Sequence, residues 1–222
     1  MKSLVNYKEI ESAYNRILSS IIRTPLLSSD LLNKKFNSKI YIKAENLQKI
    51  GAFKFRGAMN SILKLDDNQK NVLAWSSGNH AQAIASACYL TNKNATIVMP
   101  EDSPNAKMTG TKSWGAKVVT YNRYKESREE IGSNIAKEIN AKIIPPFDHP
   151  DVINGQGTVG FEIIDECKKN NVIPDIVLCC CGGGGLIAGV STAMKEKYPN
   201  VPIYAVEPED FNDTQLSLKN KK

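Results

Sequence analysis

The spacing of apolar residues along this chain alternates between one typical of helices and one typical of strands. Near the start, apolar side chains recur every three or four positions from Tyr7 to Ile21, which predicts an amphipathic helix. Asn6 and Glu9 are spaced as a capping box at the beginning of that helix. Pro25 then ends the pattern, because the residue before a proline disfavours helical geometry.

Further along, short apolar runs predict strands, and helical spacing predicts helices between them. The predicted strands are 40–44, 71–75, 95–99, 116–120, 142–144, 176–180 and 202–206. The predicted helices are about 56–65, 81–90, 103–115, 123–140, 152–169 and 186–197. We expect Gly155, Gly157 and Gly160 to interrupt the helix at 152–169, and residues 210–222 show no strong pattern.

This alternation of strands and helices predicts an α/β fold with parallel sheets. Pro145 and Pro146 mark a break after the strand at 142–144. We therefore expect a small domain, residues 71–147, inserted into a larger domain formed by residues 1–70 and 148–222.

Composition and charge narrow the class of protein. Of 222 residues, 41% are hydrophobic and 23% are charged, which is ordinary for a soluble globular protein. No apolar run approaches the ~20 residues of a membrane span, and the N-terminus lacks the apolar core of a secretory signal. We expect a cytoplasmic protein with no membrane partner. The net charge of +6 is spread among acidic residues rather than gathered into a stripe, so we expect no nucleic acid partner.

Three adjacent cysteines, Cys179 to Cys181, follow an apolar run. Their spacing suits neither a disulfide framework nor a zinc site. We interpret them as small residues that end a buried strand, in a reducing compartment.

Lys54 is the first candidate for chemistry, because it lies between Phe53 and Phe55. Apolar surroundings penalise the charged form of a lysine and favour the neutral amine, a nucleophile that can form a Schiff base. The alternative is a lysine whose stem packs and whose head reaches water. For the segment 52–58 taken alone, that alternative is favoured.

Four consecutive glycines lie between a predicted strand and a predicted helix: Gly182, Gly183, Gly184 and Gly185. Bare backbone at a helix N-terminus lets N–H groups approach an anion closely. The segment matches neither a nucleotide P-loop nor the dinucleotide fingerprint, since Ile187 stands where the third glycine would be. It indicates a phosphate site in preference to a simple turn.

A polar turn follows the predicted strand 71–75 and consists of Ser76, Ser77, Gly78, Asn79 and His80. Its hydroxyls, amide and free N–H groups could hold a carboxylate. Helix capping by Ser77 or Asn79 is the alternative. The residues alone leave both interpretations open.

Carboxylates also gather after the predicted strand 202–206, at Glu207, Glu209, Asp210 and Asp213. Such oxygen ligands suit Mg²⁺ or Ca²⁺. From spacing alone, a solvated acidic loop is the better interpretation.

An activated lysine, a phosphate loop and a carboxylate turn together suggest pyridoxal phosphate acting on an amino acid. The chain resembles the serine/threonine dehydratase and serine racemase family, of the tryptophan-synthase-β-like fold type II, most closely its serine racemase and threo-3-hydroxyaspartate ammonia-lyase branch. The matching stretches are 51–58, 76–84, 146–157, 182–186 and 206–213. The resemblance implies two parallel-sheet, three-layer domains. It also implies that the larger is incomplete, because family members continue beyond the position of Lys222.

The resemblance further implies roles for individual residues. Lys54 would form the Schiff base with pyridoxal phosphate, Phe53 would pack near the ring, and Asn79 would hydrogen-bond the ring hydroxyl. The implied phosphate ligands are Gly182, Gly183, Gly184, Gly185 and Leu186. The implied neighbours of the substrate carboxylate are Ser76, Ser77, Asn79 and His80.

Ser77 matches the serine that acts as acid and base on the face opposite the lysine in racemases of this family. Glu207, the carbonyl of Phe211 and Asp213 fall on that branch's divalent-cation site, which implies Mg²⁺, or Ca²⁺ or Mn²⁺. The implied reaction is β-elimination from serine, threonine or 3-hydroxyaspartate to a keto acid and ammonia, with serine racemisation as a second outcome. The alternatives are a truncated fragment that is inactive or needs a partner chain, and a β-replacement enzyme similar to cysteine synthase. Family members are usually dimeric, which makes a homodimer an expectation.

Overall fold

A computed structural model describes residues 5–220 of the chain. The helices α1 to α9 are, in order, Tyr7–Ile17, Asp30–Phe36, Lys54–Leu63, Asn79–Leu90, Asn105–Lys112, Arg128–Glu138, Pro150–Lys169, Gly185–Lys197 and Asp213–Asn220. The strands β1 to β8 are Leu26–Ser28, Tyr41–Lys43, Asn71–Trp75, Asn94–Pro100, Lys117–Tyr121, Ala141–Ile143, Val177–Cys180 and Ile203–Val206. Two short 3₁₀ helices, Glu45–Leu47 and Lys49–Gly51, lead into α3.

The middle of the chain forms a four-stranded parallel sheet with the order β5-β4-β3-β6. Its central strands, β3 and β4, are buried on both faces, as parallel strands usually are. Leu73 and Val98 pack with Ala136 of α6 on one face. Val72 and Ile97 belong to a larger core on the other face, which also contains residues of α3 and α4. The polar turn after β3 lies at the carboxyl edge of this sheet, where α/β proteins commonly bind ligands.

A second parallel sheet consists of β7 and β8. Cys179 of β7 packs with Ile10, Val159 and Val190 into a core contributed by α1, α7 and α8. Leu178, which points to the opposite face of this sheet, is exposed. The four-glycine segment follows the carboxyl end of β7, so it is placed like the polar turn after β3.

Helix α7 runs without interruption over 20 residues, so the predicted break at its glycines is wrong. A Cβ on Gly155 would lie 2.6 Å from the carbonyl oxygen of Arg56 in α3, and a Cβ on Gly157 would lie 3.0 Å from that of Gly189 in α8. These glycines therefore permit close helix crossings instead of ending the helix. As a result, α3, α7 and α8 bring their N-terminal regions together.

Other elements also differ from the predictions. Strand β1 was missed, because a three-residue strand held by antiparallel pairing with β2 carries little periodicity. Helix α2, which follows it, was also missed. Helix α6 begins at Arg128 rather than 123, and α3 begins at Lys54 rather than 56. Helix α9 was missed because the pattern of apolar residues there is weak. The N-cap of α1 was predicted correctly, since Asn6 Oδ1 accepts the Glu9 N–H at 3.0 Å.

Two further predictions concern membrane-spanning helices and the division into two domains. Among residues 5–220, no helix is both long enough and apolar enough to cross a membrane. The outer limits of the predicted large domain, residues 1 and 222, lie outside the described residues, and the division into two domains stays a prediction.

Candidate active site

Lys54 is the first residue of α3 and is half-buried. Its Nζ donates a hydrogen bond to the carbonyl oxygen of Pro146 at 2.7 Å and lies 5.4 Å from the centre of the Phe53 ring. Burial lowers the pKa of Lys54 from 10.5 to about 8. A substantial fraction of neutral amine is therefore present near pH 8, as a Schiff-base lysine requires.

The four-glycine segment links β7 to α8: Gly182 and Gly183 are exposed, Gly184 is half-buried, and Gly185, the first residue of α8, is buried. Gly184 is the N-cap of α8 and has a φ of +78°, a conformation that glycine adopts without strain. A Cβ on Gly182 or Gly184 would face open space within the described structure. A Cβ on Gly183 would lie 2.2 Å from the ring of Phe147, so this ring covers that side of the turn.

The segment 146–147 brings the lysine and the glycines together. Pro146 accepts the hydrogen bond of Lys54, and the next residue, Phe147, packs on Gly183. The amine of Lys54 and the N-terminus of α8 therefore lie on either side of two consecutive residues. Phe147 was not singled out from the sequence, although it lies within a stretch that carries the family resemblance.

Gln156 of α7 lies next to the glycines and is 0% exposed. A Cβ on Gly185 would lie 2.8 Å from Gln156 Oε1, and a Cβ on Gly57 would lie 3.1 Å from Gln156 Cγ. Neither amide atom of Gln156 has a hydrogen-bond partner among residues 5–220. Buried amides normally have partners, so this side chain fits a site that receives a polar group. Its position between α3 and α8 agrees with a phosphate held by the glycine turn.

The polar turn after β3 leads into helix α4, and the alternative interpretation was that the Ser77 or Asn79 side chain caps this helix. Gly78 is the N-cap, and within residues 5–220 no side chain caps this helix. Ser76 Oγ accepts the N–H of Gly78 at 3.1 Å, while Ser77 and Asn79 are exposed. Capping by Ser77 or Asn79 is therefore wrong, and both residues are exposed at the start of α4.

Lys107 of α5 reaches the polar turn and was missed in the sequence. Its Nζ donates to Asn79 Oδ1 at 2.6 Å. A cation at that oxygen fixes the orientation of the amide, because Oδ1 accepts from Lys107 and Nδ2 is left as a donor. No spacing along the chain could have signalled this pair, since it joins two neighbouring helices.

His80 is 2% exposed, and its Nε2 lies 3.0 Å from the carbonyl oxygen of Ile144. Because a carbonyl only accepts, the ring carries its proton on Nε2. Burial lowers the pKa of His80 to about 4, with a smaller contribution in the same direction from the charge of Lys54. His80 is therefore neutral near pH 7 and ties the start of α4 to the segment that precedes Pro146.

The acidic residues after β8 are arranged around α9. The two carboxylate oxygens of Glu207 accept the N–H groups of Thr214 and Gln215 at 2.9 and 3.0 Å. The Phe211 side chain is 73% exposed, and Asp213 is the first residue of α9. Within residues 5–220, no group of three or more His, Cys, Asp or Glu side chains is placed to hold a metal ion. In this arrangement Glu207 serves as a helix cap, and the cation site stays a prediction.

Comparison with known proteins decides the family. Residues 17–222 match the family model described as pyridoxal-phosphate dependent enzyme. The chain belongs to this family. The resemblance found in the sequence and the α/β fold of this type are thereby confirmed.

Several curated proteins are similar to this family member over nearly its whole length. The chain is 47% identical over 216 residues to the L-threo-3-hydroxyaspartate ammonia-lyase of Saccharomyces cerevisiae, in an alignment that covers 96% of this chain and 65% of the relative. It is 44% identical over 219 residues to the serine racemase of Schizosaccharomyces pombe, covering 97% of this chain and 66% of the relative. The chain thus spans about two thirds of the length of these relatives.

Solved structures agree with the fold. The T.th. threonine deaminase superposes with a TM-score of 0.93 and 41% identity, covering 98% of this chain and 70% of that one. Maize serine racemase superposes with a TM-score of 0.94 and 36% identity, covering 99% of this chain and 66% of that one. These structures share the arrangement of helices and strands that positions Lys54 and the glycine turn.

A buried ion cluster beside the site of this family member was also missed. Arg56 is 0% exposed and donates to both oxygens of Glu162 at 2.8 and 2.9 Å, and its Nε donates to Glu45 at 2.8 Å. Lys43 Nζ also lies 2.7 Å from Glu162. The cluster fixes α3 against α7, and so holds Lys54 and Gln156 in register. The sequence signal for this cluster was the presence of the charged residues Arg56 and Glu162 among apolar neighbours.

Proposed function

We propose that this chain binds pyridoxal phosphate through Lys54 and catalyses β-elimination from a hydroxy amino acid to a keto acid and ammonia. One observation carries the proposal: the half-buried amine of Lys54, with its pKa lowered to about 8, is joined through Pro146 and Phe147 to the glycine turn at the N-terminus of α8. That arrangement offers a nucleophilic amine and an anion site at neighbouring points.

The residues of the chain have distinct parts in this proposal. Bound pyridoxal phosphate supplies an electron sink that acidifies the α-proton of an attached amino acid. Lys54, as a free amine, accepts that proton as a general base. The backbone of Gly182 to Leu186 holds the phosphate, and Asn79, held by Lys107, donates to the ring hydroxyl. Phe53 packs beside the amine that performs the transfer.

The polar turn binds the substrate carboxylate in this proposal. Ser76, Ser77, Asn79 and His80 stand at the start of α4, where the helix dipole favours an anion. His80 supports the turn through its bond to Ile144 and stays neutral, so it does not act as a proton donor near pH 7. Ser77 is exposed and free of any capping role, which suits a hydroxyl that returns a proton to the substrate and produces racemisation.

The substrate proposal comes from the relatives' names, which refer to L-threo-3-hydroxyaspartate ammonia-lyase, serine racemase and L-threonine dehydratase. The test is keto-acid formation from 3-hydroxyaspartate, serine and threonine, with Lys54→Ala as the control. We expect ammonia and keto acid in equal amounts from at least one of them, and none from the variant. Equal, near-zero rates for wild type and variant with all three would contradict the proposal.

A divalent cation, with Mg²⁺ preferred over Ca²⁺ or Mn²⁺, is a further part of the proposal. The residues suggested for it are Glu207, Asp213 and the carbonyl of Phe211. Binding there requires Glu207 to release the two N–H groups that it now caps. If the site exists, Mg²⁺ raises the melting temperature of wild type but not of Glu207→Ala, and an equal response of both proteins excludes it.

The alternative proposal is that this chain is a fragment of such an enzyme and needs a partner polypeptide for activity. The exposed face of the β7–β8 sheet favours it, since Leu178 and Tyr204 are 66% and 54% exposed there and parallel sheets are normally covered on both faces. Recovery of keto-acid formation when a polypeptide matching the remaining third of a relative is added supports this candidate. A homodimer and a cytoplasmic location remain predictions, which gel filtration and cell fractionation test.

A further inference from the structure

Gln156 is in an unusual position for a glutamine. It lies within α7, away from either end, and is completely buried between α3 and the first residue of α8. Among residues 5–220 it is the one side chain with two buried polar atoms that lack a hydrogen-bond partner. A leucine or methionine of similar size would fill this place without leaving an amide unpaired.

The neighbours of Gln156 show where its amide points. A Cβ on Gly185 would lie 2.8 Å from Gln156 Oε1, so the amide end reaches the first turn of α8. Helix α8 has 13 residues, and its N-terminal N–H groups form an anion-binding position. The other side of Gln156 packs against Gly57, which lies one helical turn beyond Lys54. The amide is thus buried between the helix that carries Lys54 and the turn that suits a phosphate.

We propose that the amide of Gln156 is a phosphate ligand, donating from Nε2 to a phosphate oxygen of pyridoxal phosphate alongside the N–H groups of the glycine turn. This inference rests on the proposed function, because it assumes that the cofactor binds at this turn. It explains why this buried amide lacks a partner among residues 5–220: the partner is an oxygen of the bound anion. A hydrogen bond to a charged oxygen is stronger than one between neutral groups. The free energy gained by the bond to the phosphate therefore offsets the cost of the unpaired amide in the cofactor-free protein.

Two variants separate this role from a structural one. Gln156→Met keeps the size and removes the amide, and Gln156→Glu keeps the shape and places a negative charge beside the phosphate. We expect Gln156→Met to weaken pyridoxal phosphate binding by about tenfold or more, and Gln156→Glu to weaken it further. Binding of pyridoxal, which has no phosphate, is expected to stay unchanged in Gln156→Met. Both affinities are read from the visible absorbance on titration.

The melting temperature of the cofactor-free protein is a second readout, and Gln156→Met is not expected to lower it as it lowers cofactor affinity. Because Gln156→Met removes an unpaired buried amide, its melting temperature without cofactor is expected to equal or exceed that of wild type. Gln48 is the matched control, since it is 3% exposed but both amide atoms bond to the backbone of Ile22. Gln48→Met is therefore expected to melt at a lower temperature, with the ratio of pyridoxal phosphate to pyridoxal affinity unchanged.

Each outcome bears on the inference. If Gln156→Met binds pyridoxal phosphate as tightly as wild type, or loses affinity for pyridoxal phosphate and pyridoxal equally, the inference is overturned while the proposed function stands. A drop in melting temperature like that of Gln48→Met would also overturn it. If wild-type protein binds neither compound, the proposed function fails and this inference fails with it.

Discussion

Among residues 5–220, the amine of Lys54 has one hydrogen-bond acceptor, the carbonyl oxygen of Pro146, and it lies in a half-buried position. A single neutral acceptor compensates poorly for lost hydration, so the pKa falls from 10.5 to about 8. In the folded protein the buried cation is therefore a cost at low pH. That cost is present below pH 8 and fades as pH rises from 8 toward 10.5, where the unfolded chain still binds the proton.

The lowered pKa predicts how fast the cofactor attaches. The rate of attachment of pyridoxal phosphate to Lys54 follows the fraction of neutral amine, so it should rise about tenfold per pH unit below pH 8 and level off above it. Stopped-flow absorbance across the range from about pH 6 to 10 measures this. His80, with a pKa of about 4, does not titrate in that range. A rate that keeps rising about tenfold per pH unit up to pH 10, with no levelling near pH 8, would show that Lys54 is not desolvated.

The pair formed by Lys107 and Asn79 predicts an effect on the cofactor ring. In Lys107→Met the Asn79 amide loses the cation that orients it, so its hydrogen bond to the ring hydroxyl weakens. We expect a shifted absorbance maximum and about tenfold weaker cofactor binding, with Lys107→Arg retaining most of both. Lys112→Met, on the same helix, serves as the control. An unchanged spectrum in Lys107→Met would contradict this role.

At the scale of elements, the site depends on how closely α3, α7 and α8 cross. Gly155 lies where a Cβ would be 2.6 Å from the Arg56 carbonyl oxygen and 2.7 Å from the Gly57 Cα. Neither is the movable end of a side chain, so the helices themselves would have to separate. Lys54 and Gln156 would move apart as a consequence.

Gly155→Ala is therefore expected to destabilise the fold by about 1–3 kcal/mol and to weaken cofactor binding. Gly110→Ala is the control, because a Cβ there meets only the end of the Gln82 side chain, which can move. Its helix should be unchanged or stabilised by up to about 1 kcal/mol. Denaturant unfolding of both variants checks the difference, and similar free energies of unfolding would show that the crossing is not tight.

Sequence periodicity predicted most helices and strands because each carries a regular apolar face. It failed where regularity was absent or misleading. Strand β1 depends on pairing with β2, and α9 depends on capping by Glu207. The glycines of α7 looked like breaks because their reason, close contact with other helices, is visible only in three dimensions. The bonds of Lys54 to Pro146 and of Lys107 to Asn79 join distant segments, so no local pattern signals them.

At the scale of the whole molecule, one face of the β7–β8 sheet stands out. Leu178, Tyr204 and Val206 are exposed on it. Exposed apolar patches on parallel sheets favour association with another polypeptide or with a second copy. The core on the other face, around α7 and α8, does not depend on these side chains.

Replacing Leu178 and Tyr204 together by lysine is expected to lower self-association, seen as reduced light scattering of the protein at high concentration. The melting temperature should change little, since such surface substitutions usually alter the free energy of unfolding by about 0.5 kcal/mol or less. Tyr124→Lys is the control, because Tyr124 is exposed outside this face. An equal decrease in scattering for both proteins would mean that the face has no special role.

The most direct test of the central claim is covalent capture of the cofactor on Lys54. Purified protein is mixed with pyridoxal phosphate, treated with borohydride, digested and analysed by mass spectrometry. We expect a visible absorbance band that borohydride bleaches and a reduced adduct on the peptide containing Lys54, both absent in Lys54→Ala. A band of equal strength in Lys54→Ala, or an adduct distributed over surface lysines with Lys54 unmodified, would contradict the claim.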